Sequence, residues 1–73
     1  MRLHKRSLTL HGHRTSLALE PEFWSALEEI ARTRSQSLAA TIAQIDDNRA
    51  NDAALASAVR LAVLAHYRNA SLQ

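Results

Sequence analysis

A strand that runs into a helix with no linker sets the terms for this chain: Arg14-Thr15-Ser16-Leu17-Ala18-Leu19, then Glu20-Pro21-Glu22-Phe23-Trp24. Alternation puts Thr15, Leu17 and Leu19 on one face of the strand and Arg14, Ser16 and Ala18 on the other. Pro21 suits the first helical position, where a missing N–H costs nothing, and Glu22 sits favourably near the positive end of the helix dipole. A lone strand leaves unpaired N–H and C=O groups along its edges. The rest of the chain offers little to pair with it, so the expected partner is the same strand of a second copy.

Size and composition point the same way. The chain has 73 residues, no cysteine, and 47% hydrophobic residues. A chain this short buries a modest core and has no disulfide or thiolate-held metal to brace it, which leaves oligomerisation as the common route to stability. No apolar run reaches transmembrane length, and the first residues lack the apolar stretch of a signal peptide, so the expected setting is soluble and cytoplasmic. The net charge of +2 conceals an asymmetry. Residues 1–14 hold Arg2, Lys5, Arg6 and Arg14 without an acid, whereas residues 15–73 hold five arginines against seven acids. A positive end on a near-neutral body points to a polyanion, most often nucleic acid.

Along the chain, residues 1–13 read as a basic N-terminal arm, 14–68 as the folded domain and 69–73 as a frayed tail. Within the arm, Ser7–Leu10 alternates briefly and either folds back as a hairpin or extends the strand. Leu8 and Leu10 are even-numbered while Leu17 and Leu19 are odd, so the inward face changes parity near Gly12, the only glycine; a turn or bulge there accounts for the change. Pro21 to about Arg34 reads as a first helix, with Phe23, Leu27, Ile30 and Ala31 on one face and Glu28–Arg32 as an i,i+4 pair. Ser37 is suited to cap a second helix that aligns Leu38, Ile42 and Ile45. Asp46–Asp52 reads as a polar turn, and Asp52 as the cap of a third helix from Ala53 to about Arg68. That helix is apolar nearly all round (Leu55, Val59, Leu61, Val63, Leu64) and must be covered on most sides, a second pointer to a dimer.

Lys5-Arg6-Ser7, Gly12-His13-Arg14-Thr15-Ser16, Leu19, Glu22-Phe23-Trp24, Leu27, Ser37-Leu38, Ile45-Asp46 and Ala65-His66-Tyr67 follow one another in an order that resembles the ribbon-helix-helix family. The similarity is closest to the short ribbon-helix-helix domain proteins of bacteria and runs from about Lys5 to Arg68. It implies a mainly α fold with one short β-ribbon strand, assembled as an intertwined homodimer, here with an extra C-terminal helix. It also implies double-stranded DNA as partner, with the ribbon of the dimer in the major groove. Carried onto this chain, Arg14, Ser16 and Ala18 become base readers, with Ala18 limited to apolar contact. Lys5, Arg6, His13 and the helix start at Ser37, Leu38 and Ala39 become phosphate contacts. Leu17, Leu19, Phe23, Leu27, Ile30, Ile42, Val59 and Leu64 become the dimer core. Ser35 stands where the family often has glycine, which implies a less relaxed turn.

Other chemistries find little in the residues. His11 and His13 have no cysteine beside them and no carboxylate in the arm, so no metal or other cofactor is expected. Adjacent acids such as Glu28-Glu29 point about 100° apart on a helix and do not converge on a substrate, so the chain is not read as an enzyme. The third helix lacks the basic face of a membrane-surface helix. The rival reading is a dimeric protein–protein interaction module or an antitoxin-like protein with weak DNA binding. Against the antitoxin form, only about five residues follow the last helix, little for wrapping a toxin.

Overall fold

The alternation continues on both sides of Gly12. In the computed structural model, which describes residues 2–71, strands β1 (His4–Leu10) and β2 (His13–Leu19) pair antiparallel, from His4 opposite Leu19 to Leu10 opposite His13. Only His11 and Gly12 lie between them, with φ of 53° and 79°. Positive φ at both central residues is what a type I′ turn demands, the turn whose twist matches a hairpin. Histidine tolerates the left-handed region better than most side chains, and glycine enters it freely.

The strand expected to find its mate in a second copy thus has one in its own chain, and residues 4–10 of the expected arm are that mate. A two-residue loop pairs even positions with odd ones, which is the parity change between Leu8/Leu10 and Leu17/Leu19.

Three helices follow: α1 (Pro21–Thr33), α2 (Leu38–Asn48) and α3 (Leu55–Ser71). The inner face of the hairpin supplies Leu10, Leu17 and Leu19, which join Trp24, Leu27 and Ile30 of α1, Ile42 of α2, and Val59 and Val63 of α3 in one core. Leu17, Leu19, Leu27, Ile30, Ile42 and Val59, expected in a core shared between subunits, are therefore buried within one chain. Phe23 is only half-buried, packing beside Trp24, which is fully enclosed. Leu64, expected in the core, is 52% exposed in the single chain.

Helix α1 ends in a Schellman motif. The Gln36 amide donates to Ala31 O (2.9 Å) and the Ser35 amide to Arg32 O (3.1 Å), with Ser35 at φ 55°. The residue in the family's glycine position is held in the left-handed region, where a Cβ costs about 1–2 kcal/mol. Ser37 then caps α2, its hydroxyl accepting from the Ala40 amide at 3.0 Å.

Helix α2 runs on through Asp46, Asp47 and Asn48, residues expected in a turn. Both aspartates have outside partners: Asp46 binds Arg49, and Asp47 Oδ1 lies 2.8 Å from His11 Nε2. Arg49 also donates to Ala53 O, so it closes the α2–α3 turn itself. Helix α3 consequently begins at Leu55 rather than Ala53, with the Ala58 amide bonding Ala54 O, and Asp52 does not cap it. It continues through Asn69–Ser71, part of the expected frayed tail; residues 72–73 lie outside the described residues.

Helix α3 is latched to the strand–helix junction. Arg60 Nη2 is 2.9 Å from Glu20 Oε1, and its guanidinium carbon lies 5.7 Å from the Phe23 ring centre. The Glu20 carboxyl is held below its usual range, first by its own backbone amide and then by Arg60. Farther along, Tyr67 donates to Glu29 Oε1 at 2.6 Å, which raises the phenol pKa because the neutral form is the donor.

The strained Ser35 generates a prediction. Ser35→Gly stabilises the fold by about 1 kcal/mol, read as a higher urea midpoint with unchanged slope, because glycine adopts this backbone without the Cβ clash. Ser35→Val, with a branched Cβ at the same φ, shifts the midpoint the other way.

Candidate nucleic-acid interface

A hairpin packed on helices by one face leaves the other to solvent. Residues directly opposite share a face, so Lys5 with Ala18, Ser7 with Ser16, and Thr9 with Arg14 line the outer side. Lys5, Ser7, Thr9, Arg14 and Ser16 are exposed, and Ala18 is half-buried. Among the described residues none of the five polar side chains has a hydrogen bond or ion pair within the protein. Residues 1–19 contain no carboxylate. The outer face therefore offers two cations, three hydroxyls and one methyl, all without internal partners and with no acid on the same ribbon. Lys5 and Arg14 stand about four strand residues apart along the ribbon, roughly 13 Å.

The inner face has a different use. Arg6 lies opposite Leu17, on the side that meets α1. Its guanidinium carbon sits 4.5 Å from the Trp24 ring centre, and Nη1 is 3.4 Å from Glu28 Oε2. Glu28, expected to pair with Arg32, faces β1 instead. This ion pair is too exposed to contribute much, whereas stacking on an enclosed indole adds about 1 kcal/mol. Trp24 Nε1–H donates to His4 O at 2.8 Å, tying the start of β1 to α1. The His11–Asp47 pair ties the turn to the end of α2.

The residues singled out in the sequence therefore separate into three places. Arg14, Ser16 and Ala18 share the outer face, and Lys5 joins them there instead of trailing on an arm. Arg6 and His13 occupy the opposite face, Arg6 over Trp24 and His13 at the turn end across from Leu10. Ser37, Leu38 and Ala39 form the start of α2. There the Ser37 hydroxyl takes the Ala40 amide, and helix geometry leaves the Leu38 and Ala39 N–H groups without an intrahelical acceptor. Sequence reasoning passed over Ser7 and Thr9, which become interface candidates once the register is known.

A β-ribbon with a polar, cationic outer face on a helical base has the form of a nucleic-acid reader. The family model for the ribbon-helix-helix domain matches residues 3–67, and the chain belongs to that family. Ribbon-helix-helix domains as a class are DNA-binding domains of regulators and are typically not enzymes. Comparison with curated proteins and with solved structures gives no match.

The two faces predict opposite responses to truncation. Arg6→Ala lowers stability by about 1 kcal/mol through the lost stacking on Trp24. Lys5→Ala, one residue away, leaves stability within about 0.5 kcal/mol. Urea unfolding followed by Trp24 fluorescence separates them.

Proposed function

We propose that this protein is a transcriptional regulator that binds double-stranded DNA sequence-specifically as a homodimer, placing an antiparallel β-ribbon in the major groove and acting as a repressor. The observation that carries the reading is the outer face of the hairpin: Arg14, Ser16 and their neighbours point away from the core, lack internal partners, and belong to a ribbon-helix-helix chain. Arg14 can bond guanine N7 and O6 together, Ser16 can donate or accept, and Ala18 can meet a thymine methyl. The Leu38 and Ala39 amides at the start of α2 suit a backbone phosphate, aided by the helix dipole. Arg6 and His13, which face the helices, are secondary phosphate contacts at most in this scheme.

Dimerisation is supported by what the single chain leaves uncovered. Leu61 and Leu64 are 64% and 52% exposed. Beside Leu61 runs a groove of about 340 Å³ whose apolar lining includes Ile45, Ala50, Ala53, Ala58 and Ala62. A projecting leucine next to an apolar groove on one surface is suited to a two-fold contact, in which each copy fills the other's groove. The accessible surface is 5026 Å², against about 4,500 Å² expected from the scaling for a monomer of this mass. In the dimer, Leu64 takes the place in the shared core that it lacks in one chain.

Two experiments test the proposal. The first follows fluorescence anisotropy of the duplex upstream of the protein's own gene and of a random duplex across a salt series. The upstream duplex binds more tightly, affinity falls steeply with salt, and Arg14→Ala costs about 1–3 kcal/mol on the upstream duplex alone. Binding to neither duplex at low salt by a folded dimer contradicts the DNA reading and favours a protein-binding module. The second is sedimentation equilibrium. The wild type is a dimer, and Leu61→Glu gives a folded monomer because the charge cannot enter the apolar contact.

A further inference from the structure

We infer that each chain carries a complete reading ribbon of its own, in which Lys5, Ser7 and Thr9 of β1 read base edges together with Arg14, Ser16 and Ala18 of β2. This rests on the DNA-binding reading above and names further residues that determine its specificity.

The register is the starting point. Each β2 reader stands directly across from a β1 side chain on the same face, so whatever approaches Arg14 and Ser16 also meets Thr9 and Ser7. Paired strands lie about 4.8 Å apart, and a major groove about 12 Å wide admits a two-stranded ribbon. The hairpin already is such a ribbon. Adding strands from a second chain widens the insert beyond that fit, and a ribbon shared between chains requires β1 to leave β2.

The structure opposes that departure at three points along β1. Trp24 Nε1–H holds His4 O at 2.8 Å, Arg6 stacks 4.5 Å from the Trp24 ring centre, and the following turn is held by His11 on Asp47 at 2.8 Å. All three ties use the backbone, the inner face or the turn, and leave Lys5, Ser7 and Thr9 free. Their chemistry suits base edges: an ammonium for guanine N7 or O6, and two hydroxyls that donate or accept. The outer face spans roughly 13 Å, which at 3.4 Å per step covers about four base pairs. A dimer built from such chains reads two separate half-sites, one per hairpin, instead of one segment shared by a ribbon of two chains.

The test is selection from a randomised duplex pool by the full-length wild type and by Lys5→Ala, Thr9→Val and Arg14→Ala, with circular dichroism confirming that each is folded. The inference expects Lys5→Ala and Thr9→Val each to relax base preference about tenfold at its own position, distinct from the position relaxed by Arg14→Ala. If Lys5→Ala weakens every sequence equally and Thr9→Val changes nothing, β1 only lies along the backbone and the inference is overturned while the DNA reading stands. If the wild type selects no sequence at all, the sequence-specific reading fails and takes this inference with it.

A second measurement addresses the chain origin of the ribbon. Leu8 and Thr15 are opposite each other on the inner face, so Leu8→Cys/Thr15→Cys can be oxidised without touching the readers. A cross-linked product that runs as a monomer on a denaturing non-reducing gel and keeps the wild-type base preference supports the inference. A covalent dimer, or an intrachain cross-link that abolishes selection, overturns it.

Discussion

The His11–Gly12 turn decides which hairpin side chains face the helices and which face outward. A slip of one residue in a strand sends every side chain to the other face. In this register Leu10, Leu17 and Leu19 close the core, and five polar side chains that find no partner inside the protein are turned to solvent. Core formation and the composition of the reading face are therefore not independent. The same apolar positions that must be buried determine that Arg14 and Ser16 are presented.

The helical layer holds that arrangement through few contacts, as a small chain must. Trp24 does most of this: its ring lies in the core, its N–H takes the His4 carbonyl, and its face accepts Arg6. Arg60 locks α3 onto Glu20 at the strand–helix junction, while the strained Ser35 turn sets the start of α2. What this layer leaves bare, Leu61 and Leu64 beside an apolar groove, is the surface assigned to a second copy.

Much of this was legible because it depends on local chemistry. Pro21 marked the start of α1, Ser37 capped α2 as its hydroxyl position suggested, and the alternation of Leu17 and Leu19 gave the inner face of β2. The hairpin was harder to read. His-Gly is a weaker turn signal than Asn-Gly, and β1 places Arg6, a cation, where an alternating strand would show an aliphatic residue. Its apolar stem and flat guanidinium are satisfied by Trp24, a tertiary partner that sequence pattern does not reveal. The parity difference between Leu8/Leu10 and Leu17/Leu19 was the available clue, and it places Ser7 and Thr9 on the outer face only once the turn length is known. The end of α2 was missed for a related reason: Asp46 and Asp47 favour a turn locally, but Arg49 and His11 give them partners within a continuing helix.

The central claim is that DNA meets the outer face of the hairpin. Titration of the isotope-labelled protein with duplex DNA, followed by backbone amide NMR, tests it most directly. The account predicts that the largest shift changes fall on Lys5, Ser7, Thr9, Arg14, Ser16 and Ala18, with a second group at Leu38 and Ala39. Changes confined to α3 around Leu61 and Leu64, with the hairpin unmoved, would contradict it.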